Sequence, residues 1–390
     1  MITKVRPPMK MQCKSTTCLF AMAMMISGCG SDKSKSNNID ISVNRADFQS
    51  TVNGKQTDLF ILESDEGIKL AITNFGGRVV SWMVPGKDGE YADISVGFDN
   101  VLAYQNANES YYGALIGRVG NRIDEGAFSL NGEEYTLAKN NGSNSLHGGP
   151  GGFHNVVWNA EQIDKKKLKL TYTSEDGEEG FPGTLDVEVL YSVTDNNELR
   201  IEYTATTDKE TIVNLTNHTF FNLKGEAGGP INDHLLTINA DSYTPVDSTL
   251  IPRGEIALVE GTPFDFRHQT PIGERVNADN TQLKYGNGYD HNFVLNKNGT
   301  DLTLAAKVHE PKSGRTMEIL TTEPGIQFYS GNFMDSSDIG KFGKALGFRE
   351  AFCLEPQHFP DAPNQPDFPD ISLKPGETYI TVSVYRFSIE

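Results

Sequence analysis

Residues 185–203 read LDVEVLYSVTDNNELRIEY, and this stretch decides the fold. Apolar residues occupy every second position in 185–193 and again in 199–203, with mostly polar residues between them. The turn-forming triplet DNN at 195–197 separates the two runs. Period-two alternation on both sides of a turn predicts an antiparallel hairpin with one buried face and one face in water.

The same pattern continues along most of the chain. Residues 168–172 alternate in the same way, and glycine- or proline-rich breaks recur, for example at 148–152 and 228–230. No stretch keeps a helical period for more than a turn or two. We therefore predict one all-β domain over 42–390, a large antiparallel β-sandwich in which two large sheets pack face to face.

The composition suits a globular β protein and excludes some classes of partner. The 390 residues include 38 glycines, 18 prolines and 21 phenylalanines. The formal net charge is −18 and the isoelectric point is about 4.9. Such acidity argues against nucleic acid and anionic membrane surfaces as partners.

The N-terminus has the features of an export signal. A basic start without acids is followed by a short apolar run at 19–26 and the sequence ISGC at 26–29. This pattern predicts a lipoprotein signal peptide over 1–28, with Cys29 as the lipid-attachment residue and 29–41 as a polar tether. The alternative is an ordinary signal peptide with a chance cysteine. The expected location is that of an exported bacterial lipoprotein, periplasmic or anchored to the outer membrane.

The four cysteines are Cys13, Cys18, Cys29 and Cys353. Two leave with the predicted signal and Cys29 would carry lipid, so no intramolecular disulfide is expected. No Cys/His spacing resembles a zinc site, and we predict no metal.

Two segments place a proton-transfer group beside apolar residues. The run NHTFFN at 217–222 surrounds His218 with two rings and with amide or hydroxyl groups, as a sugar pocket requires. The run CLEPQ at 353–357 puts Glu355 at the end of an apolar strand, where burial would raise its pKa toward that of a general base. A structural histidine and a solvated glutamate are the alternatives.

Three more segments carry polar groups between glycines or rings. GRVGNRI at 117–123 supplies two arginines, LHGG at 146–149 supplies His147, and YDHNF at 289–293 supplies Asp290 and His291. Solvated arginines and a surface histidine are the simpler interpretations. His218, His291 and Asp290 are of the right residue types to ligate a metal, but their spacing does not require one.

Together these segments resemble the aldose 1-epimerase, or galactose mutarotase, family. The resemblance covers nearly all of the chain after the tether. It rests on motifs that follow one another in this order: NFGG at 74–77, GRVGNRI at 117–123, LHGG at 146–149, DGEEGFPG at 176–183, NHTFFN at 217–222, YTPVD at 243–247, GTPFDF at 261–266, DHNF at 290–293, QFYSGN at 327–332 and LEPQ at 354–357.

The resemblance implies a galactose mutarotase-like supersandwich that interconverts the α and β anomers of a hexose. It implies that Glu355 is the general base for the anomeric hydroxyl and His218 the general acid for the ring oxygen. His147 would orient the sugar near the ring oxygen. The remaining sugar-binding positions fall on Asn121, Arg122, Asp290 and Gln327. The sequence departs from many relatives at 153–155, where we expect His154 to lie at the rim of the site.

Ring opening removes one proton and delivers another, and Glu and His can exchange these roles because neither has an extreme pKa. The chemistry requires no cofactor, although the acidic loop 175–179 could hold Ca²⁺. Free monosaccharides are the expected partners, membrane contact is expected only through the lipid, and the chain is expected to be a monomer. The alternatives are a lipid-anchored sugar-binding protein without catalysis, a glycoside hydrolase using Asp290 and Glu355, and a phosphosugar epimerase, which would need an additional cationic cradle.

Overall fold

The computed structural model describes residues 40–65 and 67–390. The predicted signal peptide, Cys29 and the tether up to residue 39 therefore lie outside the described residues. Within them, no helix is long and apolar enough to cross a membrane.

The hairpin predicted from 185–203 lies in a nine-stranded sheet. Its strands pair antiparallel across the whole sheet, and the strands at 167–207 confirm the predicted alternation, with Leu168, Val189 and Ile201 buried. In spatial order the strands are Asn159–Gln162, Lys167–Ser174, Leu185–Thr194, Glu198–Thr207, Tyr379–Ile389, Arg315–Thr321, Thr303–His309, Leu235–Ile238 and Thr270–Pro271.

Two smaller sheets complete the main architecture. A five-stranded sheet contains Ala257–Leu258, Ser242–Tyr243, Asp290–Val294, Gly325–Tyr329 and Cys353–Gln357. A four-stranded sheet contains Leu59–Glu63, Lys69–Thr73, Arg78–Pro85 and Tyr91–Asp93.

The described residues also form six two-stranded ribbons. They are Thr51–Val52 with Lys55–Gln56, Ala127–Leu130 with Glu133–Thr136, Arg122–Ile123 with Ser145–Leu146, Thr211–Ile212 with Ser372–Leu373, Ala114–Ile116 with Thr216–His218, and Ser95–Val96 with Phe220–Phe221.

Helices are few and short, as the sequence predicts. The α-helices in the described part are Val101–Asn106, Ile272–Arg275 and Thr281–Gly286, and the 3₁₀ turns are Arg45–Phe48, Asp124–Gly126, Phe153–Asn155, Glu178–Gly180 and Ala362–Asn364. One large apolar core contains residues of all three main sheets, including Trp82, Tyr191 and Phe293. The all-β prediction is confirmed.

A buried charge cluster fixes one loop to the four-stranded sheet. The side chain of Lys341 is completely buried, and its Nζ lies 3.2 Å from Asp93 Oδ2 and 3.0 Å from Glu226 Oε2. It also donates to the carbonyl oxygens of Val80 and Ser95. Burial alone would lower the pKa of Lys341, but the two carboxylates raise it, so the cation is kept.

We predict that Lys341→Met lowers the free energy of unfolding by about 3–5 kcal/mol, because two buried carboxylates lose their cation. Urea denaturation followed by tryptophan fluorescence measures this change. The matched control is Lys344→Met, which removes an exposed lysine of the same loop and should change stability by less than about 0.5 kcal/mol. Equal midpoints for the two variants would refute the role given to the cluster.

Candidate active site

A cavity of about 580 Å³ lies at the face of the five-stranded sheet. Its size is within the range of small-molecule pockets, about 300–1,000 Å³. Its lining is rich in hydroxyl, amide and aromatic side chains and contains Asn108, Glu109, Ser110, Tyr111, Asn121, Arg122, Asn140, Asn141, Gly142, Ser143, Leu146, His147, His218, Ser248, Thr249, Leu250, Tyr285, Asp290, Tyr329, Phe333 and Glu355.

The register of three strands builds the floor of the cavity. Asp290 stands opposite Tyr329, which stands opposite Cys353. In the next row of the same face, Gln327 stands between Asn292 and Glu355. Because side chains two positions apart share a face, Asp290 and Glu355 both reach the cavity.

His218 reaches Glu355 from another sheet. It ends the strand Thr216–His218, and its Nε2 lies 3.6 Å from Glu355 Oε1. Its Nδ1 lies 3.4 Å from the sulfur of the buried Cys353, two residues before Glu355. Burial raises the pKa of the Cys353 thiol, so a protonated S–H can donate to Nδ1, leaving the ring proton on Nε2.

His147 is fixed by the ribbon that carries Arg122. Its own N–H donates to the carbonyl oxygen of Asn121, and Asn121 N–H donates to His147 Nδ1 at 3.1 Å. Gly148 follows in a left-handed conformation, and a Cβ there would lie 1.9 Å from Gly117 O, so only glycine fits. A ring nitrogen that accepts a backbone N–H has no proton, and the neutral His147 therefore carries its proton on Nε2.

Arg122 and Gln327 both contact Asp290. Arg122 Nη1 lies 3.5 Å from Asp290 Oδ2, and Gln327 Nε2 donates to Oδ1 at 2.7 Å. Arg122 also donates to Asn141 Oδ1 at 3.0 Å. Arg122 and Asp290 line the cavity, whereas Gln327 lies behind Asp290 and holds that carboxylate in place.

Burial moves the two central pKa values in opposite directions. It raises the pKa of Glu355 well above its usual value, and the charges of Asp290 and Glu109 add to the rise. It lowers the pKa of His218 to about 3, with the cations Arg78 and Arg122 contributing. The sequence-based expectation that neither group has an extreme pKa is therefore wrong for His218. The two shifts together favour the carboxyl group over the imidazole as the holder of a proton shared by the pair.

Other candidate residues have structural roles. Arg118 is buried and donates to Ser174 Oγ and to four carbonyl oxygens, including that of Pro182. His291 is fully buried, with Nδ1 accepting from Asp290 N–H and Nε2 3.2 Å from Gln282 Oε1. The fold therefore does not bring His218, His291 and Asp290 together as ligands for a metal ion.

His154 is not at the rim, contrary to the sequence-based expectation. It is buried, and burial lowers its pKa to about 3. Its ring packs 4.8 Å from that of Tyr111, which separates it from the cavity. Proximity in sequence to the motif at 146–149 suggested the rim, but the 3₁₀ turn Phe153–Asn155 directs the chain into the core.

Tyr111 is the main site residue that the sequence does not indicate. Its ring lies 4.6 Å from His147 and 5.7 Å from His218, and it lines the cavity. Glu109, another lining residue, has its pKa raised to about 7 by burial. Both precede the strand Ala114–Ile116, which pairs with the strand of His218. Only that pairing brings them to the site, and no local motif marks it.

In the described residues, the three groups that lie close enough together to hold a metal ion are His147, His218 and Glu355, with ligand atoms within 4.8 Å of one another. The fit is poor, because backbone N–H donation to Nδ1 leaves a proton on the His147 nitrogen that a metal would need. The loop 175–179 gives the Ca²⁺ prediction no support either. Glu178 accepts from Tyr172 and Ser174, and Glu179 accepts from Gly151 N–H.

Comparison with known proteins identifies the family. The profile of the family described as aldose 1-epimerase matches residues 58–386. The chain is 44% identical to galactose mutarotase of Bos taurus over 350 residues, which are 90% of this chain and 99% of that protein. It is 36% identical to aldose 1-epimerase of Escherichia coli (strain K12), over 86% of this chain and 97% of that protein.

Solved structures agree with these sequence matches. The GalM/aldose epimerase homologue from C. elegans superposes with a TM-score of 0.79 at 31% identity, covering 85% of this chain and 99% of that one. Galactose 1-epimerase from Lactobacillus acidophilus NCFM gives a TM-score of 0.76 at 29% identity, covering 87% and 97%. The chain therefore belongs to the aldose 1-epimerase family and is a carbohydrate epimerase with the galactose mutarotase-like fold.

Proposed function

We propose that the chain interconverts the α and β anomers of free hexoses such as glucose and galactose. The observation that carries the proposal is the buried pair of His218 and Glu355, whose side chains lie 3.6 Å apart at the floor of a cavity of about 580 Å³. Ring opening requires one acid and one base within reach of the same sugar, and this pair supplies both.

The proposed cycle begins with the proton on His218 and Glu355 ionised. A sugar hydroxyl that donates to the carboxylate favours this distribution. Glu355 takes the proton of the anomeric hydroxyl while His218 protonates the ring oxygen, and the C1–ring oxygen bond breaks to give the open aldehyde. Rotation about C1–C2 and closure from the other face, with both roles reversed, give the other anomer.

Burial favours the open-chain stage of this cycle. After ring opening Glu355 is protonated and His218 is neutral, which is the distribution that their shifted pKa values favour. The pair therefore carries no separated charge while the substrate is in its open-chain form. His147, with its proton on Nε2, supplies a fixed donor beside the ring oxygen, and the cycle uses no cofactor.

The other activities are supported less well. Binding alone has no use for a proton-sharing pair. In a glycoside hydrolase Asp290 would have to act as acid or nucleophile, but Arg122 and Gln327 hold both of its oxygens. For a phosphosugar, Arg122 is the sole Arg or Lys among the described residues that line the cavity, and it is already paired with Asp290.

We further propose that the protein is an exported lipoprotein attached through Cys29, with 1–28 removed and 29–41 acting as a tether. The support is the sequence alone, namely the basic start, the apolar run and ISGC at 26–29. A monomer remains our prediction for the oligomeric state.

We predict that Glu355→Gln and His218→Asn each lower kcat by about 10²–10⁴-fold, because each removes one proton-transfer group. Polarimetry on freshly dissolved α-glucose and α-galactose, corrected for spontaneous mutarotation, measures the rate. Glu255→Gln and His268→Asn make the same changes at exposed positions and should leave the rate unchanged. Near wild-type rates in either site variant would show that the pair is misassigned.

We predict that activity persists to an unusually low pH. Because burial lowers the pKa of His218 to about 3, His218 does not gain a second proton for the pair until the pH is well below 5, and kcat/KM should show no acid-side loss down to about pH 5. The loss of activity as the pH rises should occur above the usual titration range of a glutamate, because burial raises the pKa of Glu355. The pH profile is measured in the Glu109→Gln variant, because burial raises the pKa of Glu109 to about 7 and its own titration would otherwise overlap the profile. A half-loss near pH 6.5 in that background would contradict the assignment.

We predict that Cys353→Ala lowers kcat by about 2- to 10-fold with little change in KM, the expected effect of losing one hydrogen bond to His218 Nδ1. Cys353→Ser, which keeps a donor of similar size, should restore most of the rate. The tautomer of His218, read from imidazole ¹⁵N shifts, should lose its preference for Nε2 only in the alanine variant. An unchanged tautomer in that variant would rule out this role.

A further inference from the structure

Residues 333–348, next to the cavity, expose an unusual amount of apolar surface. Phe333, which also lines the cavity, is 51% exposed, and Ile339, Phe342 and Phe348 are 55%, 50% and 48% exposed. In the described part of the chain, no phenylalanine outside this segment is exposed to a comparable degree. A concentration of exposed rings on one segment marks a contact surface more often than chance.

Residues 339–345 of this segment form a small hairpin, here called the apolar hairpin. Ile339 bridges to Ala345, and Gly340 N–H donates to Lys344 O at 2.8 Å. Gly343 makes the turn, which places Phe342 at the tip. Two of the four exposed apolar side chains thus project from one short turn.

The base of the apolar hairpin is fixed, so its exposure is not a consequence of a loose loop. Lys341 points inward to the buried pair Asp93 and Glu226. Lys341 N–H donates to Gly97 O at 3.1 Å, which places the hairpin beside the helix Val101–Asn106. On that helix Leu102 is itself 66% exposed.

The chain enters the domain at the same place. Ser42 Oγ donates to Asp93, the carboxylate that also pairs with Lys341. Ile41 and Val43 pack against the core cluster that contains Met334 and Leu346, which flank the hairpin. Cys29 precedes Asp40 by 11 positions, so at about 3.6 Å per residue a lipid on Cys29 would lie within about 40 Å of this entry point.

We propose that the apolar hairpin contacts the surface of the lipid bilayer to which Cys29 is attached. Exposed rings and aliphatic groups enter the bilayer interface readily, and a lipid chain holds a protein firmly only with a second contact. The net charge is −18 for the full chain and becomes more negative when the four basic residues of 1–28 are removed, which favours zwitterionic rather than anionic headgroups. The inference rests on the proposed lipid attachment and adds a second contact site.

Asp338, the residue before the hairpin, links this surface to the cavity. Its carboxylate accepts the backbone N–H groups of Asn108 and Glu109, both of which line the cavity. Contact of the hairpin with the bilayer would therefore hold the rim of the cavity close to the membrane surface.

The test compares two exposed isoleucines. Ile339→Cys and Ile163→Cys replace side chains with 55% and 51% exposure, and Cys353 is buried and will not react with an added label. The full lipoprotein, purified in detergent, is labelled with the fluorophore NBD and placed on phosphatidylethanolamine–phosphatidylcholine vesicles. We expect the label at 339 to shift to the blue and to be quenched by spin-labelled lipid, while the label at 163 does neither.

Three results would overturn the inference. If the protein floats with the vesicles while both labels stay in water, the lipid anchor is supported but the hairpin does not contact the bilayer. No flotation at all would remove the anchor and the inference with it. A shift without vesicles that grows with protein concentration would identify a second copy of the chain as the occupant. Mutarotation by the same samples tests the proposed activity separately, and neither substitution should change it.

Discussion

The chemistry proposed for this protein depends on keeping a carboxyl group and an imidazole out of water within 3.6 Å of each other. Register achieves this, because Glu355 stands opposite Gln327 and Cys353 stands beneath His218. A slip of one residue in Cys353–Gln357 would turn Glu355 to the other face of the sheet and replace it with an apolar or proline side chain. The rest of the architecture, including the large sheet that supports this floor, serves to hold that register.

Such a site lowers stability locally. Glu355 Oε2, Gln327 Oε1 and both polar atoms of Gln357 are buried and have no partner among the described residues. Each such atom costs on the order of 1–3 kcal/mol. Apolar packing around it offsets this, with Phe293, Phe328 and Leu354 fully buried in the same sheet.

Sequence reasoning predicted the parts of the molecule that local pattern controls. Alternation at 185–203 indicated the central hairpin, and the motifs around His147, His218 and Glu355 indicated the residues that line the cavity. Sequence reasoning failed where contacts between distant parts of the chain determine the position or the pKa of a residue. Tyr111 enters through a strand pairing with no local signal, and His154 turns inward, contrary to expectation. The pKa of His218 depends on burial and on distant Arg78, which no spacing reveals. The hydrogen bond from Gln327 to Asp290 likewise depends on strand pairing and has no local signal.

The hydrogen bond from Asn121 N–H to His147 Nδ1 also affects how readily the site binds metal ions. Two imidazoles and a carboxylate within 4.8 Å would ordinarily attract zinc or copper ions from the medium. A backbone donor cannot be moved by titration, so His147 presents N–H rather than a lone pair at every pH at which the fold persists. The same bond that fixes the ring of His147 thus makes this nitrogen a poor metal ligand, and it does so without a charged residue.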